Sequence, residues 1–124
     1  TRTPNTPWIA AIDEDNDWTA ANDPCAIELG TGWRIPTSTE WEAADLNEDW
    51  DNYNDTYNSV LKLHAAGILY YSTGVLQDRG THGTCWSRTR STSTRGFYLY
   101  LHASSSHVGT SYKSGGYSLR CLRD

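Results

Sequence analysis

The sequence has no methionine, a single phenylalanine, four prolines and three cysteines in 124 residues. No apolar run approaches the roughly 20 residues that a membrane-crossing helix needs, and no basic-then-apolar leader opens the chain. Membrane insertion is therefore not expected. Three cysteines are too few for the dense disulfide scaffold that replaces a core in very small secreted domains. At 13.9 kDa the chain has the size of one domain, residues 1–124, and folding removes about two-thirds of its unfolded surface from water. Because Met is missing even at position 1, Thr1 is expected to mark a processing site or a cut in a longer polypeptide.

Basic residues are scarce in the first half. Residues 1–58 carry Arg2 and Arg34 against thirteen acids, residues 59–124 have a net charge of +6, and the whole chain has −5. The halves attract one another. With a pI near 5.2 the domain lacks the concentrated basic footprint that phosphate backbones require, so a nucleic-acid partner is not expected. What is abundant is aromatic: six Trp and eight Tyr. Such rings suit a surface that is apolar and hydrogen-bonding at once.

Trp8 to Ile12 form a short apolar run that predicts a strand, closed by the acidic loop Asp13-Glu14-Asp15-Asn16-Asp17. Counted as an EF-hand, that loop has Trp18 where Gly is required and Pro24 where Glu is required, which excludes one. A looser calcium site and a solvated acidic turn both remain open; no other cofactor or metal is expected. Further on, Thr37 with Glu40 three residues later is a capping box, so a helix is expected to begin there and end near Asn47 or Glu48, with Trp41 as its core anchor. The Asx-rich stretch 49–58 reads as a long loop. After it the period changes to two. Leu61 and Leu63 alternate with Lys62 and His64, chain 65–71 continues extended, and Gly74 and Gly80 mark turns. Phe97, Leu99 and Leu101 alternate with Tyr98, Tyr100 and His102, the cleanest strand pattern in the chain, and Tyr117 to Leu122 alternate again. Strands that follow one or two helical segments predict an α+β domain with an antiparallel sheet.

Gly32-Trp33-Arg34-Ile35-Pro36-Thr37-Ser38-Thr39-Glu40-Trp41 resembles the GWRxPTxxEW segment of C-type-lectin-fold domains. Gly116 to Asp124 resembles the GYSxRCxRD ending of the Fib_succ_major paralogous-domain family. Leu61 to Gly67, Arg79 to Gly83 and Trp86-Ser87 resemble further signatures in the same order, so the likeness spans roughly residues 19–124. It implies a C-type-lectin fold whose first and last strands pair, in a bacterial cell-surface or secreted protein or a phage virion, often as the C-terminal part of a longer chain. It also implies a disulfide between Cys25 and Cys121, leaving Cys85 as a small buried hydrophobe. The implied role is ligand binding rather than catalysis. Formylglycine-generating activators share the fold, but their closely placed cysteine pair is absent here, as are a His-x-x-x-His spacing and a Gly-x-Ser-x-Gly elbow. No enzymatic activity is expected. The Glu-Pro-Asn and Trp-Asn-Asp signatures of calcium-dependent sugar binding are missing too.

The same family includes variable proteins of diversity-generating retroelements, whose C-terminal stretch is hypermutated at adenines. Residues 84–118 contain no Asp, Glu, Asn or Gln, and a diversified stretch and a fixed serine-rich one would both look like this. Within it lie the expected binding residues: Arg88, Arg90, Thr92 and Arg95 on a loop, Tyr98, Tyr100 and His102 on the outward face of the next strand, and His107, Tyr112 and Lys113 on the following hairpin. Tyr and Arg are enriched in binding hot spots, and Tyr, Ser and Gly in antibody-like paratopes. Expected partners are a protein or glycan receptor on a cell surface, bound by an adhesin, pilus tip or tail-fibre tip. The alternative is a structural module of an extracellular filament, with self-association or a larger assembly. On the blander reading Tyr98 and Tyr100 only cover a sheet face.

Overall fold

Asp23 and Thr37 decide where the first two helices start. The structure, a computed structural model, describes residues 15–124; the strand expected at Trp8–Ile12, and its pairing with the last strand, lie outside them. Asp23 Oδ1 accepts the Cys25 N–H at 2.8 Å, and Pro24 fills the first helical position, where a missing N–H costs nothing. They open α1 (Pro24–Leu29). After β1 (Trp33–Arg34), Thr37 opens α2 (Ser38–Glu48) with both halves of the capping box made. Asn52 caps α3 (Tyr53–Asn58) by accepting the Asn54 N–H. This corrects the expected long loop at 49–58 and gives three helices among the described residues, where one or two were expected.

The remaining elements are β2 (Ile68–Leu69), β3 (Leu76–Gln77), β4 (His82–Arg90), β5 (Arg95–His102), β6 (Ser105–Tyr112) and β7 (Leu122–Arg123). They pair antiparallel as β4-β5-β6, β2-β3 and β1-β7. The domain is α+β with few helices and antiparallel sheets. Leu61 to His64 form no strand, against the alternation: Lys62 is left-handed at φ 50°, and Leu63 is buried, its N–H donating to the Thr56 carbonyl at 3.2 Å. In the last run only Leu122 belongs to a strand, although Ser118 bridges Cys85 in parallel fashion. The chain at His64 crosses so close to β4 that a Cβ on Gly83 would lie 2.5 Å from the His64 carbonyl oxygen.

α2 lies against one face of the three-stranded sheet, where Trp41, Trp50, Leu63, Cys85, Leu99 and Leu101 form the core. Each large apolar side chain buried there contributes roughly 1.5–3 kcal/mol. The chain is also closed covalently: Cys25 and Cys121 form the disulfide, with 5.5 Å between their Cα atoms. Around it, Asp23, fully buried, also accepts the Ile35 N–H at 2.9 Å. Arg34 forks onto Glu40 at 2.6 and 2.7 Å and reaches Asp124 at 2.8 Å. α1, β1, α2 and β7 are thus tied at one corner. Among the described residues no helix is long and apolar enough to cross a membrane.

Candidate functional site

Alternation along β5 sends Leu99 and Leu101 into the core and Tyr98, Tyr100 and His102 to the opposite face. The register then places their neighbours: His82 and Ser105 flank His102, Thr84 and His107 flank Tyr100, and Trp86 and Gly109 flank Tyr98. These rows form a continuous aromatic surface. His82 lies 4.6 Å from His102 between ring centroids, Tyr100 lies 5.0 Å from His107, and Tyr98 meets Tyr100 edge-on at 6.3 Å. The C-terminal segment adds Tyr117, whose ring stacks on Trp86 at 4.5 Å and whose hydroxyl donates to Ser111 Oγ at 2.7 Å. Such pairs prefer tilted and edge-to-face geometries and stabilise beyond the area they bury. The rings are half-buried and His107 is exposed. Burial pushes the Tyr98 and Tyr100 phenols up from their ordinary value, so they stay neutral hydrogen-bonding groups; neighbouring Tyr117 acts in the same direction on Tyr98, and Asp78 on Tyr100.

At the β4–β5 turn end of the sheet the Arg95 guanidinium sits 4.3 Å above the Tyr112 ring, which packs on Tyr71 at 4.7 Å. This is a cation–π contact at an exposed edge. Thr92 lies in the β4–β5 turn, where its hydroxyl accepts the Arg95 N–H at 3.1 Å.

Against the expectation of a loop, Arg95 opens β5, and Arg88 and Arg90 lie in β4. The expectation failed because the register shifts between Trp86, opposite Tyr98, and Arg90, opposite Gly96. Such a bulge frees backbone groups for other partners. The Arg88 N–H donates to the Pro36 carbonyl at 2.9 Å, and the Arg88 carbonyl accepts from Trp18 at 3.1 Å. The Arg88 guanidinium donates to the Trp18 carbonyl, and Arg90 donates its backbone N–H to Asp17 and a guanidinium N–H to the Asp15 carbonyl. Both arginines therefore clamp residues 15–18 onto the sheet. Beside the bulge opens a cavity of about 290 Å³, lined among others by Trp18, Ile35, Trp86, Arg88, Arg90 and Lys113. Two indoles and a cationic rim meet there.

No family model, curated protein or solved structure matches this chain. The site is therefore read from its own geometry. Tyr98, Tyr100, His102 and His107 share one face, Arg95 and Tyr112 pair at the turn end of the sheet, Arg88, Arg90 and Lys113 line the cavity, and Thr92 shapes a turn. Sequence reasoning missed His82, Trp86, Tyr117, Tyr71 and Trp18. For His82 and Trp86 a signal existed, because period two counted along His82, Thr84 and Trp86 places them together on one face. Cys85 points the other way, buried, its thiol pushed up to about 11 by desolvation against a small opposing effect of Arg120. Among the described residues no three or more His, Cys, Asp or Glu converge as a metal cluster. Asp17 of the acidic loop is occupied by Arg90, and Asp13 and Glu14 lie outside the described residues.

Proposed function

We propose that this chain is a non-enzymatic recognition domain of C-type-lectin type that binds a protein or glycan receptor through the aromatic face of β4-β5-β6. The observation that carries the reading is the row structure: Trp86, Tyr98, Tyr100, His102 and His107 lie in ring contact across three strands and remain half-buried or exposed. Rigid rings with polar tips give contact area at low entropy cost, and the bordering cavity adds cations. The disulfide suits an oxidising compartment, in keeping with a bacterial cell surface or phage virion. The adenine-diversified variant of this role fits the same geometry, since residues 84–118 supply most of the face while Leu99 and Leu101 hold the core.

The test is a screen of the wild-type domain on immobilised glycans and displayed surface proteins, repeated with Tyr98→Ala/Tyr100→Ala. The expected result is a ligand whose binding falls at least about tenfold in a variant that melts normally. Undiminished binding by the variant would refute the reading. Sequencing codons 84–118 across one population tests diversification: substitutions confined to adenines and sparing Leu99 and Leu101 support it, and an invariant stretch without a template copy removes it.

A second reading, a structural module of an extracellular assembly, is favoured by one feature. The outer edge of β6 pairs with no strand among the described residues and carries no charged side chain, whereas natural edges are usually blunted by Lys, Pro or bulges. Sedimentation separates the two: concentration-dependent association supports assembly, and a persistent monomer removes it.

A further inference from the structure

At the Tyr100 end of the aromatic face, His82 and His102 are direct register partners across β4 and β5. Their hydrogen bonds fix more than their position. The Thr81 hydroxyl donates to the Asp78 carbonyl at 2.9 Å, so its lone pairs are left to accept, and His82 Nδ1 lies 3.0 Å away. The proton of His82 therefore sits on Nδ1, and Nε2 carries the free lone pair. Asp78 Oδ1, 3.9 Å from the same Nδ1, favours that tautomer. His102 Nδ1 likewise faces a hydroxyl, Ser104 Oγ at 3.1 Å, which can accept its proton. Neither Nε2 has a hydrogen-bond partner among the described residues. An imidazole whose Nδ1–H is held by an oxygen while Nε2 stays free is the form that ligates a metal ion.

We propose that His82 and His102 form a two-histidine site for a divalent transition-metal ion, with the remaining coordination positions open to water or to donor atoms of a bound partner. The separation supports this. An ion bonded to both Nε2 atoms at about 2.1 Å, in the plane of each ring, would lie roughly 3.2 Å from each ring centroid, and centroids 4.6 Å apart would then subtend about 90° at the metal. That angle matches cis positions of a tetragonal site better than the wider angle of a tetrahedral one. Two neutral nitrogens with such geometry favour Cu²⁺ and Ni²⁺, and select against Ca²⁺ and Mg²⁺, which want oxygen. Two protein ligands make an exchangeable site, distinct from a buried structural metal. The site shares the recognition face but does not rest on that face binding a receptor.

The test uses chelator-stripped protein titrated with Cu²⁺ alone, followed by calorimetry and electron paramagnetic resonance. One ion per chain is expected, with hyperfine splitting from two nitrogens, and His82→Gln and His102→Gln each weaken binding about tenfold or more. His64→Gln, whose ring packs on Tyr57 and not on His82 or His102, binds as wild type does. The proposal is overturned by unchanged affinity in either histidine variant, by equal loss in His64→Gln, or by no saturation below about 1 mM Cu²⁺. Melting curves of each variant confirm that the fold persists.

Discussion

On the side of β5 that meets α2, Leu99 and Leu101 are wholly buried and Cys85 nearly so, whereas one residue along the same strand Tyr98, Tyr100 and His102 stay half-buried. The closed face is decided by volume and has few polar atoms to satisfy. The open face is decided by ring-on-ring contacts, of which a single replacement removes only some. The difference teaches how one sheet keeps a packed core apart from an open aromatic face: its period of two sends alternate residues to each.

The largest contrast expected is in thiol chemistry. Burial raises the Cys85 thiol to about 11, so labelling of the native protein at mildly alkaline pH runs at least about a hundredfold slower than in denaturant. Rapid native labelling would show that the closed face opens. Next in size is Leu99→Ala, which should cost about 2–5 kcal/mol in urea unfolding by leaving a cavity under α2. A loss below about 1 kcal/mol would mean that the face collapses around the gap.

A smaller effect belongs to the start of α2. The Arg34 guanidinium, more than any other neighbour, holds the Glu40 carboxyl at about 2 rather than 4.5. A carboxyl depressed on folding stabilises above its unfolded value and loses that contribution as pH falls through the folded one. Because the Glu40 side chain is 39% exposed, water screens the pair, and Glu40→Gln should cost about 1 kcal/mol near neutrality. Unfolding from about pH 6 down to about pH 2 should show the gap between wild type and variant closing. The smallest stability change is expected for Tyr100→Ala, within about 1 kcal/mol. A larger loss would make the open face part of the core.

Capping chemistry was legible because it is local: Thr37 and Glu40 do what their spacing predicts. β5 was legible because it is the middle strand, held in register on both sides. α1 also carried a local signature, Asp23 before Pro24, that went unread. α3 did not, for Asn52, Asn54 and Asp55 have turn-forming composition, and what holds the segment is distant: Thr56 is buried and its carbonyl receives the Leu63 N–H. The strand position of Arg88 and Arg90 was hidden by the bulge, and their partners Trp18, Asp17 and Asp15 lie more than 60 residues away in sequence. The pairing of Cys25 with Cys121 followed from the family likeness rather than from spacing.

That bridge also determines how the domain would answer to mechanical force. Tension entering before Cys25 and leaving after Cys121 would cross from one to the other over 5.5 Å of Cα separation, bypassing a loop with a sequence separation of 96. The covalent load path would bypass β4, β5 and β6 and the rings they carry, so stretching the chain would reach the aromatic face through the bonds of Arg88 and Arg90 to residues 15–18 and not through the backbone.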